Sequence, residues 1–492
     1  MCGIIGISGP QGKRAVYDLY QSLLSLQHRG QDAAGIVTYD GRFHVKKGEG
    51  LVREVFREKN IQRLRGQVGI GHVRYPTFGA GAGEDAQPFL VSHPYGIAMA
   101  HNGNVVNFKD LVEELRVRDL RLCNSGCDVE ILLHVFGSAL QKEATPEPTP
   151  EHVFAATAEV HRRVHGAYST VTLVADVGLL GFRDPNGIRP LMWGKKETPE
   201  GPVYALGSES VTLDLLGMRE VEDVAPGEAI LFTPSGRIHR RRLTVASHSP
   251  CIFELVYFGR PDSRGDGASV YVVRLALGAK IAERWAAENV PIDAVIPVPD
   301  SACTASIECA RILGVPYREA LVKNRYIGRT FITPEDSDRR RLVRQNFNTI
   351  PSCLAGKDVL LVADSIVRGN TVYEIIEMVR AAGAKKVYFA SYSAPLRHPC
   401  VYGIDMVTRK DFVARNRTVE EVRREIGADR LVYLTVDEMV GAARSVVPGR
   451  ERFCAACFSG EYPTGDVSQY ASELEAEREE SRRQRELEAV RE

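Results

Sequence analysis

No apolar run in the 492 residues is long enough to cross a bilayer. The N-terminus has no basic stretch leading into an apolar core, so it does not read as a secretory signal. Net charge is missing too: 63 Lys and Arg balance 63 Asp and Glu, which gives no general attraction to nucleic acid or to an anionic membrane. Cysteine is too sparse for a disulfide framework, at ten in the whole chain. These absences lead to the expectation of a cytoplasmic protein whose thiols are buried, nucleophilic or metal-ligating. Hydrophobic content of 44% and charged content of 26% are ordinary for globular domains, and the length allows two or three of them.

The stretch that organises the chain is Met1-Cys2-Gly3. Loss of Met1 would give Cys2 a free α-amine with an ordinary pKa of roughly 7.7–8.0, partly neutral at pH 7. A neutral amine beside a thiol places nucleophile and general base in one residue. Read alone, Cys2–Ser8 is better taken as a buried strand opening with a small apolar residue. The next hundred residues favour the nucleophile. Short apolar runs at Cys2–Ser8, Gly69–His72, Ile97–Ala100, Tyr168–Val174 and Leu179–Phe182 read as strands. Ala15–Gln27 and Asp128–Ala139 read as helices, and Thr145–Pro150 as a surface loop. Polar motifs stand where the strands end. Asn102-Gly103 can aim a side-chain amide and a backbone N–H at one point, which an oxyanion hole requires. Arg74 offers a planar fork for a carboxylate, and Asp128 a carboxylate for an ammonium group. Singly, these residues could be a turn, a surface charge and a helix cap.

Cys2-Gly-Ile-Ile-Gly6, Gln27–Ile36, Gly71-His-Val-Arg-Tyr75, Gln87-Pro-Phe89, His101-Asn-Gly-Asn104 and Phe182–Pro190 together resemble the class-II glutamine amidotransferases. The resemblance implies an N-terminal nucleophile hydrolase with an αββα core. It implies Cys2 as nucleophile, Asn102 and Gly103 as oxyanion hole, and Arg74 and Asp128 as glutamine binders. With Cys2 directly after Met1, no longer propeptide is expected.

Gly236–Pro250 is basic and polar and reads as a junction between a glutaminase domain at 2–235 and a second domain at 251–465, followed by a charged tail at 466–492. In the second domain strands and helices alternate: Ala294–Val298, Thr304–Leu313, Val359–Ala363, Val372–Ala382 and Lys386–Tyr392. That pattern predicts a parallel α/β sheet, which binds ligands at its strand ends. Pro299–Thr304 and Asp364–Thr371 lie at such ends and are rich in small and hydroxyl residues suited to cradling phosphate. Lys323–Phe331 runs into the charged stretch Asp336–Arg344 and reads as a cationic lid.

These segments resemble type I phosphoribosyltransferases. The resemblance implies that Asp300, Ser301 and Thr304 bind pyrophosphate. Lys323, Arg325 and Tyr326 would belong to a closing segment. Asp364, Ser365, Arg368, Gly369, Asn370 and Thr371 would hold the ribose and 5-phosphate of phosphoribosyl pyrophosphate (PRPP). Magnesium would bridge PRPP oxygens near Ser301 and Asp364. The two halves together resemble enzymes that convert PRPP, glutamine and water to 5-phosphoribosylamine, glutamate and pyrophosphate, the committed step of purine synthesis. Such enzymes imply purine nucleotides as inhibitors and a homodimer or homotetramer.

Two departures from the family pattern bear on this. Ala363 stands where an acid is usual before Asp364, and Asn346 where a lysine is usual. One charged hydrogen bond is worth roughly 1.5–3 kcal/mol, so Ala363→Asp is expected to raise transferase efficiency by on the order of tenfold. The departures also motivate an alternative, a PRPP- or nucleotide-sensing paralogue with weakened chemistry; another class-II amidotransferase is a second alternative. Cys454-Ala-Ala-Cys457 is a two-ligand metal unit, and Cys251 and Cys400 lie at the other positions where the family ligates a 4Fe-4S cluster. By spacing alone four thiolates could also hold zinc. The remaining cysteines read as ordinary thiols, and Ser472–Glu492 as a solvated helix or disordered.

Overall fold

The computed structural model describes residues 1–75, 83–142, 145–324, 343–404, 412–473 and 475–476. Its first half is built on two antiparallel sheets. One has seven strands in the order Glu220–Asp223, Met192–Thr198, Gly201–Gly207, Gly3–Ser8, Val68–Arg74, Ala33–Tyr39 and Phe43–Glu49. The other has six, in the order Ile238–Arg242, Glu228–Phe232, Gly178–Arg183, Gly166–Val174, Ile97–Val105 and Phe89–Val91. The sheets face each other across Ile4, Val37, Ile70, Val171, Leu179 and Phe232. They pack so closely that a Cβ on Gly6 would stand 2.9 Å from Leu179 Cδ1. Helix Ala15–Ser25 covers the outer face of the first sheet. Helices Asp128–Lys142 and Pro150–Arg163 cover that of the second. This is the expected αββα sandwich.

Strand Ile97–Val105 runs five residues past the apolar run Ile97–Ala100, so the His101–Asn104 motif lies inside the strand and not beyond it. Asn and Gly signal a turn locally, but a continuous ladder from Ile97↔Val174 to Val105↔Gly166 overrides that preference. Ile238–Arg242, within the stretch read as a junction, is an edge strand of the second sheet. Its three arginines are of the kind that discourages edge-to-edge pairing.

The second half has a four-stranded parallel sheet in the order Ala294–Pro297, Asp358–Ala363, Lys386–Ser391 and Arg430–Tyr433. Helices Cys303–Leu313 and Asn370–Ala381 follow its first two strands, as the alternating pattern predicts. Helix Val270–Ala287 packs alongside, capped by the Ser269 hydroxyl. The halves share a core: Met1, Ala167 and Ile188 of the first join Cys251, Cys400, Cys454 and Cys457 of the second in one cluster. The start of the tail belongs to this core as well. Residues 468–473 are helical, and Val467 and Ala471, which precede the Ser472–Glu492 stretch expected to be solvated, are buried.

Candidate active sites

Cys2 enters the first sheet beside strand Val68–Arg74 and is buried. Its N–H donates to Asn102 Oδ1 at 3.1 Å, and its Sγ lies 3.7 Å from the Tyr75 carbonyl oxygen. This sheet-to-sheet bond turns Asn102 so that its other amide atom, Nδ2, is buried without a hydrogen-bond partner. A buried unpaired N–H is costly unless something is meant to occupy it. The Gly103 N–H is the second donor expected here. The N–H groups of His101 and Val105 turn away from the neighbouring ladder to Gln87 Oε1, at 2.8 Å, and Asp128 Oδ2, at 3.1 Å. Alternation sends the Gly103 N–H to the same side, where the adjoining strand Phe89–Val91 ends opposite Met99. The position requires glycine: φ is +154°, and a Cβ would stand 1.9 Å from Ala167 O.

The two residues expected to bind the amino-acid end of glutamine are close to this point, and each is already held. Arg74 donates to Asp32 Oδ2 and Asp85 Oδ2, both at 3.1 Å. Burial pushes both carboxyl groups up, and the Arg74 charge opposes it. Asp128 pairs through Oδ1 with His101 Nε2 at 3.1 Å. Asp85, Gln87 and His101 therefore brace the site. Gln87 and His101 lie in motifs already singled out, whereas Asp85 had no signal beyond being an acid in a loop. Met1, one residue ahead of the thiol, is fully buried, with its Sδ against Arg189 Nη1. Burial, with the charges of Arg29 and Arg189 adding to it, pushes its α-amine down to about 5.

In the second half Ser301 and Asp364 bring the two predicted loops together, the Ser301 hydroxyl donating to Asp364 Oδ2. Ser365 donates to Asp364 Oδ1 at 2.6 Å. Burial raises the Asp364 pKa, and the Ser301 and Ser365 hydroxyls pull it back. Tyr392, which the motifs did not reveal, braces the first loop from beneath through its bond to Ser301 O at 3.2 Å. Thr304 is in the first turn of helix Cys303–Leu313, and Asn370 and Thr371 are exposed at the start of the next, after Gly369 at φ +88°. Arg368 is exposed beside them. Lys323 stands 4.0 Å from Asp300, at the end of a short ladder with Phe347–Thr349. Arg325 and Tyr326 lie outside the described residues. Ala363 is 4% exposed and packs among Leu361, Ile366 and Val372. A carboxylate there would be buried in an apolar cluster, so Ala363→Asp is expected to cost stability and not to add a substrate contact.

Residues 74–214 match the model of the glutamine amidotransferase domain. The chain is 48% identical over 483 residues to the amidophosphoribosyltransferase of Pseudomonas aeruginosa, covering 97% of this chain and 96% of that one. Against the Saccharomyces cerevisiae enzyme it is 44% identical, covering 97% and 96%. The chain belongs to the amidophosphoribosyltransferase family. The structure of the Bacillus subtilis glutamine PRPP amidotransferase, solved with ADP and GMP, superposes with a TM-score of 0.83 at 36% identity, over 95% of this chain and 98% of that one. Because the likeness to amidophosphoribosyltransferases runs through both halves, the alternative of a different class-II amidotransferase falls away. No helix among the described residues is long and apolar enough to cross a membrane.

The four cysteines expected to hold a cluster come together in the shared core. Cys251 and Cys454 form a parallel bridge, and Ile252 N–H donates to Cys454 O at 3.1 Å. Arg397 and His398 N–H groups donate to Cys457 O, and Tyr402 N–H to Cys400 Sγ at 3.3 Å. Burial pushes the thiols of Cys251, Cys454 and Cys457 up, and Cys457 is in the field of the other three. Among the described residues no three His, Cys, Asp or Glu are placed to hold a single metal ion. A tetrahedral zinc would draw its sulfurs to about 3.8 Å of one another, given a Zn–S bond of about 2.3 Å. Beside the thiols lies Arg189, fully buried, with Nε and Nη2 unpartnered. It is in the field of Cys251, Cys400 and Cys454. A buried cation with orphaned donors beside four thiols fits an anionic thiolate-held group.

Proposed function

We propose that the chain hydrolyses glutamine at Cys2 and uses the ammonia to aminate PRPP at the Asp364 loop, forming 5-phosphoribosylamine, glutamate and pyrophosphate, the committed step of purine synthesis. The observation that carries the reading is the buried, unpartnered Asn102 Nδ2 beside Cys2, an oxyanion donor with its place already made. Cleavage ahead of Cys2 frees its α-amine, which takes the thiol proton as sulfur attacks the glutamine amide carbon. The developing oxyanion meets Asn102 Nδ2 and the Gly103 N–H. The proton passes to the leaving nitrogen, ammonia departs, and water hydrolyses the thioester to glutamate. Arg74 and Asp128 orient the amino-acid end, with Asp32 and Asp85 holding the guanidinium in place.

In the second site Asp364 is braced to accept ribose hydroxyls, since both of its oxygens already accept from Ser301 and Ser365. Residues 368–371 present a helix N-terminus to the 5-phosphate, and Asp300–Thr304 meet the pyrophosphate. Asp364 and Ser301 are oxygen donors of the kind magnesium takes, and the ion would neutralise pyrophosphate charge. Cys251, Cys400, Cys454 and Cys457 would hold a 4Fe-4S cluster whose contribution is to lock the junction of the two halves. We further place the protein in the cytoplasm, as a homodimer or homotetramer inhibited by purine nucleotides; the Bacillus subtilis relative was solved with two of them.

The test is pyrophosphate release from PRPP, Mg²⁺ and ammonia by the purified protein. Turnover is expected. Intact PRPP binding without pyrophosphate release would favour the sensor that Ala363 and Asn346 suggest.

A further inference from the structure

Strand Ile97–Val105 carries two side-chain amides two residues apart, hence on one face, with the oxyanion peptide of Gly103 between them. The first, Asn102, goes to Cys2. The second, Asn104, leaves the glutaminase half. Its Nδ2 donates to Val401 O at 2.9 Å and to the Tyr470 hydroxyl at 2.7 Å. Both amide hydrogens are thus committed to the other half of the molecule, and the residue is buried. Two residues beyond Val401 the contact is closer still. Gly403, at φ +96°, lies so near that a Cβ there would stand 2.5 Å from Gly103 O and 2.7 Å from Gly103 C.

The acceptor segment is itself held. Tyr402 bonds Thr464 Oγ1 at 2.7 Å, and Tyr462 donates to Pro399 O at 2.7 Å. The oxyanion peptide needs such support, because among the described residues no strand lies along its outer edge beyond Met99. A misplacement of about 1 Å in a catalytic group can cost on the order of 10²-fold in rate.

We infer that Asn104 is a positioning residue for glutamine hydrolysis: by binding Val401 and Tyr470 it fixes where the Gly103 N–H stands relative to Cys2. The inference rests on reading Asn102 and Gly103 as the oxyanion donors. It makes segment 401–403 of the transferase half part of what shapes the glutaminase site.

The test compares Asn104→Leu, which keeps the shape and loses both donors, and Tyr470→Phe, which loses one acceptor, in the full-length protein. For Asn104→Leu the glutaminase kcat is expected to fall about tenfold, with KM for glutamine within about twofold, because Arg74 and Asp128 are untouched. Tyr470→Phe should show a fall of about threefold. Affinity for glutamate γ-semialdehyde, whose adduct with the thiol carries the same oxyanion, should weaken in parallel with kcat, while glutamate affinity and ammonia-dependent pyrophosphate release hold. A merely structural role would not separate aldehyde from glutamate affinity. An unchanged kcat, a rise in KM alone, or equal loss of aldehyde and glutamate affinity would overturn the inference. If Asn104→Leu does not fold, Tyr470→Phe decides. Asn102→Ala separates the two readings. If it leaves kcat and aldehyde affinity intact, the oxyanion assignment itself is wrong; if it lowers both while Asn104→Leu and Tyr470→Phe do not, only the positioning role fails.

Discussion

Arg29 is a buried cation at which both halves of the molecule meet, and Arg29→Met removes it. The side chain is 1% exposed. It donates from Nε to Cys2 O at 3.0 Å, from Nη1 to Glu209, and from Nη2 to Glu254 Oε1 at 2.8 Å. Removing one partner of a buried pair costs about 3–5 kcal/mol, because the other is left as an uncompensated charge. Proton linkage gives a similar figure. Burial pushes the Glu209 carboxyl up, but Arg29 and His28 override it and hold the group at about 2, against an ordinary value of 4.5. At about 1.4 kcal/mol per pH unit this is on the order of 3 kcal/mol. In the wild type that stability is present above pH 4.5 and is lost as pH falls toward 2. In Arg29→Met only His28 is left to oppose burial at Glu209, so that carboxylate takes up a proton more readily and the variant gains relative to wild type on acidification. The assay is urea unfolding at pH 7 and pH 5. Trp193 and Trp285, the chain's two tryptophans, lie one in each half and can be followed separately in Trp→Phe backgrounds. A deficit of about 3–5 kcal/mol at pH 7 that narrows at pH 5 is expected. A deficit below about 1 kcal/mol, or one that widens in acid, would refute the reasoning.

Ala363→Asp should lower the unfolding midpoint of the transferase half without improving PRPP turnover, since burying an uncompensated polar group costs several kcal/mol; a higher kcat/KM for PRPP would restore the view of a missing substrate contact. Anaerobically purified protein should be brown, with about four irons per chain, and any one of Cys251→Ser, Cys400→Ser, Cys454→Ser and Cys457→Ser should lower iron content; colourless, fully folded protein with one zinc would contradict the cluster while keeping its ligands.

Much of this arrangement is legible in the sequence, because local pattern and chemistry coincide in it. Gly3–Ser8 is a short apolar run with a thiol at its head, and the parallel strands at Ala294, Asp358 and Lys386 are short apolar runs, each closed by a loop. What escaped depends on partners far away in the chain. Asn102-Gly103 looks like a turn until the ladder with Gly166–Val174 is seen. Helix Pro150–Arg163 was hidden behind a Pro-rich approach that supplies its first turn. Ile238–Arg242 is too basic to announce a strand, and only pairing with Glu228–Phe232 makes it one. Arg74 is recognisable as a carboxylate fork, but nothing nearby says that Asp32 and Asp85 already occupy it. The links from Asn104 to Val401 and Tyr470, 297 and 366 residues away, carry no local signal.

On the proposed mechanism, glutamine hydrolysis at Cys2 supplies the nitrogen added to PRPP at a separate site. Cys2→Ala, assayed for pyrophosphate release with glutamine and then with ammonia as nitrogen source, addresses it directly. The glutamine-dependent rate is expected to disappear and the ammonia-dependent rate to stay close to wild type. Glutamine-dependent turnover that survives the substitution would contradict it.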